Sequence, residues 1–325
     1  MLRAIVEAGI PVDKVRGSAC SVSTWSQVGG VSIGAFMTGL WSLHRELVPV
    51  SQKSLAWFDW MQKTSNLLDL TYPITSLFSG AYFNYSIMQA FPEEIMIEDL
   101  WLPFYCVSTN ISTSTERVHR AGSLWRYVRA SMSYAWILPP ICDPLDGQLL
   151  MDGCYVNNVP GDVMLRSACS HIIVVDVTAP DDSDLTDYGD SLSGWWMLWK
   201  QWNPFTSPVK IPTQNEIQGR LAFCNHYKNL EALKSNPHYE YIFPPVGHFS
   251  SAKFSMFSEI YEAGYHHGTT FFYGLKKAGR SKGGQSRANS WLPTANRSRK
   301  GGRAQERRDS GSYTFTDLAQ VCKGY

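Results

Sequence analysis

Gly30-Val31-Ser32-Ile33-Gly34 follows the pattern G-x-S-x-G. That spacing suits a nucleophile elbow, a strand-to-helix turn so tight that the serine backbone is strained and its hydroxyl is lifted out of the chain. The motif predicts that a side chain at either flanking glycine, Gly30 or Gly34, would clash. The pentamer alone is a weak signal, since ordinary Gly and Ser usage produces one by chance in about one chain in ten of this length.

A serine hydroxyl attacks a carbonyl only when another group accepts its proton. A Ser…Asp…His triad would draw on the late histidines His226, His238, His248, His266 and His267, but none of them sits in a recognisable turn after a strand. Each reads more simply as a surface or packing histidine. The alternative is a serine and an aspartate alone. The apolar run Leu149-Leu150-Met151 delivers Asp152 at a strand end, followed by Gly153 and Cys154. A carboxylate there can reach a serine at the sheet edge. The plainer reading is a turn, as at Asp146-Gly147 six residues earlier.

The elements that must hold these groups read as α/β. The chain has 325 residues, 44% hydrophobic and 18% charged, enough for one large α/β domain or two small ones. Its net charge of +1 hides an asymmetry: residues 1–275 hold 17 basic and 25 acidic side chains, and residues 276–325 hold 12 and 3. Seven cysteines without C-x-x-C spacing, and no secretory leader, point to reduced thiols in the cytoplasm. No apolar run approaches the roughly 20 residues of a spanning helix.

Helices are expected over the first ten residues, from Ile33 through about His44, and from Gln52 to Leu70. Strands are expected at Trp101–Ser108, Leu149–Met151 and His171–Val177, the last as a buried, parallel, central strand. Residues 276–312, rich in Gly, Ser and Arg, are expected to be disordered. Strands alternating with helices point to a mostly parallel sheet inside a sandwich.

Several blocks carry a resemblance. The run MLRAIVEAGIPVD, the elbow GGVSIGAF, the block SLWRYVRASMSYAWILPPICDPLDGQLLMDGCYVNNVP, and the segments YGDSLSGWW and IPTQNEIQGRLAF resemble, in order, the patatin-like phospholipase domain. The neuropathy target esterase group of lysophospholipases is the nearest likeness, over most of residues 1–275. The resemblance implies an α/β three-layer sandwich with a mostly parallel central sheet, lacking its first strand. It also implies a Ser–Asp dyad of Ser32 and Asp152, with Gly30, Gly34 and Gly153 as motif residues. The implied activity is hydrolysis of fatty-acyl esters of phospholipids or lysophospholipids through an acyl-enzyme, with no metal or organic cofactor and no nucleic-acid partner.

Four departures stand beside it. The family's Gly-rich oxyanion loop, which precedes the helix that opens this chain, is not in the sequence, so an N-terminal truncation is expected. Residues Arg16–Gln27 read as an insertion before the elbow, leaving Val28 as a strand residue and predicting a disturbed register. The aspartate motif ends in Cys154 where the family has Gly or Ala. Residues after 275 are expected not to resemble the family.

Trp195, Trp196, Trp199 and Trp202 fall near helical spacing. They read first as core or lid packing, and second as a surface that meets acyl chains or a bilayer, with peripheral contact at the endoplasmic reticulum membrane as the corresponding location. Two further functional readings follow. One is a catalytically impaired fragment acting as a lipid-binding or interaction module. The other is a Ser-His-Asp hydrolase, which the order of the blocks disfavours.

Overall fold

The computed structural model describes residues 1–8, 27–63, 69–167, 169, 172–178, 184–203, 209–247, 249 and 256–281. All of these fall in one compact unit, Met1–Trp291. Residues 16–26 of the expected insertion, His171, His248 and nearly all of the basic segment lie outside the described residues.

The first half of the chain builds a five-stranded sheet. It comprises β1 (Val28–Gly30), β2 (Phe104–Asn110), β3 (Thr115–His119), β4 (Ile141–Cys142) and β5 (Leu149–Asp152). The expected parallel pairing holds for β1 with β2, whereas β3 and β5 run antiparallel to β2 and β4 runs antiparallel to β5. The sheet is therefore mixed. Short connections explain this: β2–β3 and β4–β5 are hairpins, and a hairpin can only join antiparallel strands. Gly147, with φ of 73°, turns the second hairpin, so Asp146-Gly147 is the turn its sequence predicts.

Strand β2 is buried along its whole length and alternates between two cores. Phe104 and Cys106 face helices α2 (Ile33–His44), α3 (Leu47–Met61), α4 (Ala81–Ala90) and α5 (Leu124–Ser131). Tyr105 and Val107 face the short helices α6 (Cys154–Asn157) and α7 (Gly161–Arg166). This gives helix, sheet and helix layers. The larger core centres on Phe36, whose ring lies 4.7 Å from Trp57 and 5.5 Å, edge-on, from Phe91. Each such buried ring contributes about 1.5–3 kcal/mol.

Helix α2 has the expected bounds. Helix α3 starts five residues before its expected start and stops at Met61. Pro49 is tolerated because it lies in the first turn, where no intrahelical N–H is needed. Among the described residues strand β6 (Ile172–Val175) is not central: it pairs in parallel with β7 (Tyr239–Ile242) alone, in a separate two-stranded sheet. Ile172 and Val174 are buried, but Val175 and Val177 are exposed. Helix α9 (Gln214–Ser235) opens on a capping box between Thr213 and Glu216. Helix α10 (Phe257–Ser281) packs on α1 (Leu2–Glu7) and runs through position 275, so residues 276–281 are helical where disorder was expected.

Candidate active site

The register along β2 brings the two strand ends together. Gly30, the last residue of β1, pairs with Cys106, and Asp152, the last residue of β5, pairs with Ser108. Cys106 also pairs with His119 of β3, which occupies the other edge of β2. Strands β1 and β5 therefore share one edge and run toward each other, with Val107 between their ends. The disturbed register expected from the insertion is not seen, since β1 delivers the elbow directly to this point.

Beyond β1 the chain turns sharply. The Gly34 N–H donates to the Val31 carbonyl at 2.8 Å, and Ser32 inside that turn has φ 53° and ψ −125°. Positive φ at that place normally calls for glycine, so serine there holds strain of about 1–3 kcal/mol. The two flanking glycines differ. A Cβ at Gly30 would lie 2.6 Å from the Gly34 oxygen and 2.8 Å from the Ala35 nitrogen. A Cβ at Gly34 meets nothing within 4 Å, so the expected clash holds for Gly30 and not for Gly34. The reason is direction: Gly30 faces the backbone that starts α2, whereas Gly34 faces open space.

Two serines at the end of α5 anchor this geometry. The Ser32 N–H donates to Ser131 Oγ at 2.9 Å, and the Ser131 hydroxyl donates to the Val107 carbonyl at 2.7 Å. The Asp152 N–H donates to the Ser133 carbonyl at 3.0 Å, and the Arg129 guanidinium donates to the Ser133 hydroxyl. Arg129 is itself buried and donates to Asn84 Oδ1 at 2.7 Å. Ser131 and Ser133 are not singled out by residue type; their role follows from the backbone groups they touch.

Asp152 is 1% exposed, and it stands at the end of β5 facing the elbow. Burial pushes its pKa up to about 6, while the Cys154 N–H, the Ser32 hydroxyl and the Cys154 thiol hold it down. The Cys154 N–H lies 2.9 Å from Asp152 Oδ1. Gly153 packs so closely on β2 that a Cβ would come within 2.8 Å of the Val107 carbonyl carbon. Ser32 remains half-buried and reachable. The half-buried serine and the hidden carboxylate thus meet at one end of the sheet. Ile33 occupies the first position of α2, where the helix supplies no acceptor for its N–H.

The described late histidines lie elsewhere. His226 is buried against Asp176, with Nε2 3.1 Å from Oδ2. Asp176, at the end of β6, also accepts from the Tyr241 hydroxyl at 2.7 Å. His238 lies just before β7, and His266 and His267 lie on α10, where His266 pairs with Glu262 at 3.4 Å. A different Ser–His pair, Ser108 with His119 at 2.6 Å, is fully buried, and burial pushes His119 down to about 4.

Residues 20–165, which include Ser32 and Asp152, match the patatin-like phospholipase family. Within that span the chain is similar to a patatin-like phospholipase domain. Its similarity to curated relatives runs over 99% of the chain, at 47% identity to neuropathy target esterase sws of Drosophila melanogaster and 43% to that of Drosophila willistoni. Residues after 275 are included in that span, contrary to the expectation that they would not resemble the family. The chain spans 21% and 23% of the length of those two relatives.

The four tryptophans lie on α8 (Gly194–Trp202), which starts at a Ser193 cap. Trp195, Trp199 and Trp202 are 83%, 57% and 85% exposed, and Trp196 is 37% exposed. They are not core. Among the described residues, no helix is long and apolar enough to cross a membrane.

Proposed function

We propose that this domain, taken as residues 1–275, hydrolyses fatty-acyl esters of lysophospholipids or phospholipids through Ser32 and Asp152. The observation that carries the reading is the convergence of the strained Ser32 turn and the buried Asp152 at the meeting of β1 and β5. Ser32 Oγ attacks the acyl carbonyl as its proton passes to Asp152. The tetrahedral adduct collapses, the glycerol oxygen leaves with that proton, and an acyl-Ser32 ester remains. Water then attacks the ester, giving its proton to Asp152; the fatty acid departs and Ser32 recovers its hydrogen. The Ile33 N–H is one donor placed beside the developing oxyanion, and a donor of that kind is worth about 2.7–4 kcal/mol.

The exposed tryptophans of α8 support peripheral contact with a lipid surface, such as the endoplasmic reticulum membrane. Amphipathic indole rings sit favourably at a headgroup boundary, and Lys200 lies 5.8 Å from the Trp196 ring. The same face favours a second reading, a module that binds lipid without turning it over. Release of fatty acid from lysophosphatidylcholine micelles separates the two. Hydrolysis by the wild-type chain and not by Ser32→Ala supports the enzyme, whereas binding without release in either supports the module.

A further inference from the structure

Helix α6 is one turn long, and its first N–H, that of Cys154, donates to the Asp152 carboxylate at 2.9 Å from Oδ1. A single turn has little stability of its own, so what surrounds α6 decides where that N–H points. Helix α9 packs against it. Asn225 of α9 donates through Nδ2 to the Val156 carbonyl of α6 at 2.6 Å. Just past the other end of α6, Asn158 donates to the Thr178 hydroxyl at 3.3 Å. Thr178 lies two residues after Asp176, and its N–H donates to Asp176 Oδ1 at 3.0 Å. The 3.1 Å contact between His226 Nε2 and Asp176 Oδ2 joins these two supports. His226 follows Asn225 on α9, so the contacts form a closed ring: α6 to Asn225, His226 to Asp176, Thr178 to Asn158, and back to α6.

We infer that Asn225, His226 and Asp176 are positioning residues, a closed clamp that fixes α6 and, through the Cys154 N–H, the Asp152 carboxylate. The inference rests on the role proposed above for Asp152. His226 and Asp176 are both buried, so water and salt do not screen their contact. His226 Nδ1 meets no partner among the described residues, so Asp176 is what orients the ring. Asp176 is fixed in turn to β7: it accepts from the Tyr241 hydroxyl at 2.7 Å, and its N–H donates to the Ile242 carbonyl at 2.9 Å. Burial alone would raise this carboxyl, but hydrogen bonds from His226, Thr178 and Tyr241 hold it well below the usual carboxylate range. It therefore stays an ionised acceptor at neutral pH.

Other elements hold α6 as well. Asn157 donates to Glu116 Oε1 of β3 at 2.9 Å and to Asp162 Oδ1 of α7 at 2.8 Å. Gly153 lies against the Val107 carbonyl, so the start of α6 cannot shift toward β2. These contacts keep α6 in place when the clamp is cut, but they leave its tilt to the α9 side. The expected effect is therefore a partial loss of rate in a folded protein. A displacement of about 1 Å at reacting groups can cost about 10²-fold, so a small change of tilt is enough to be read.

The test is hydrolysis of p-nitrophenyl butyrate by the full chain, with kcat and KM resolved, in variants whose melting shows them folded. Asn225→Ala cuts the clamp between α9 and α6 at a side chain that is only part-buried. It is expected to lower kcat by about tenfold and leave KM within about twofold, because the dyad is displaced and the ester-binding surface is not. Asp176→Ala is expected to do the same. Asp176→Asn, which keeps an acceptor for the His226 and Thr178 N–H groups, is expected to recover most of that loss. The clamp acts as one unit, so Asn225→Ala combined with Asp176→Ala is expected to cost little more than either alone. Should Asp176→Ala fail to fold, Asn225→Ala decides alone. Wild-type kcat in Asn225→Ala, a change confined to KM, or losses that multiply in the double variant overturn the inference while the dyad stands. No hydrolysis by the wild type, or hydrolysis by Asp152→Asn at the wild-type rate, overturns the dyad reading and this inference with it.

Discussion

Where β1 meets β5, main-chain and side-chain groups are tied to one another: Ser32 to Ser131, Ser131 to Val107, Asp152 to Ser133, Cys154 to Asp152. On α8 the reverse holds, and indole rings stand in solvent at up to 85% exposure. The contrast teaches what each region demands. The proposed proton transfer needs Ser32 and Asp152 held close, and backbone, packing and strain all converge on that place. The lipid contact proposed for α8 needs apolar area left uncovered, and its largest side chains are unburied.

The sharpest way to break the contrast is at the glycines. Gly30→Ala and Gly153→Ala drive a methyl into backbone, which cannot yield as a side chain can. Each is expected to cost about 3 kcal/mol or more, read as a fall in melting temperature. Gly34→Ala meets open space and is expected to change stability by less than about 0.5 kcal/mol. Equal losses at all three positions would remove the distinction drawn between the two sides of the elbow.

Next in size is the tension between function and stability at Asp152. Its folded pKa, about 6, lies above the ordinary carboxylate value of 3.8. The protonated form therefore suits the fold, and the stability it confers is fully present below about pH 3.8 and lost as pH rises through about 6. Asp152→Asn is expected to stabilise the domain by about 3 kcal/mol at pH 8 and by almost nothing near pH 4, as measured by denaturant unfolding. Labelling of that variant is expected to fall about 10²–10⁴-fold.

Ser131→Ala removes a smaller support. It leaves the Val107 carbonyl and the Ser32 N–H without their shared partner, at an expected cost of about 1–3 kcal/mol, with slower labelling as the turn relaxes. On α8, replacing Trp195 and Trp202 together with alanine is expected to weaken binding to phosphatidylcholine vesicles by about tenfold or more. The loss should be larger than any change in labelling rate. Unchanged vesicle binding would return α8 to the role of an ordinary surface helix.

Much of this was legible in the sequence, though unevenly. The elbow declares itself through its glycines, and α2 follows it with the expected bounds. Asp152 was legible as a strand-end carboxylate, but only the resemblance raised it above a turn. What joins the two is a pairing register on β2, and register depends on partners such as Val28 with Phe104 and Ser108 with Asp152, 76 and 44 residues apart, that no local pattern specifies. The same limit hid Ser131 and Ser133, whose importance comes from what they touch. Ile172–Val175 read as a central strand because apolar β-branched runs do not reveal how many neighbours a strand has. The tryptophans of α8 were assigned first to the core because large apolar side chains are usually buried; their exposure is the finding that redirects them.

The central claim is that Ser32 and Asp152 work as one unit. Its most direct test is mass-spectrometric mapping of the fluorophosphonate adduct in the wild type, Ser32→Ala and Asp152→Asn. The expected result is a single adduct on Ser32 in the wild type, none in Ser32→Ala, and slow or absent labelling in Asp152→Asn despite a native fold. An adduct on another residue, or an Asp152→Asn protein that labels as fast as the wild type, would contradict it.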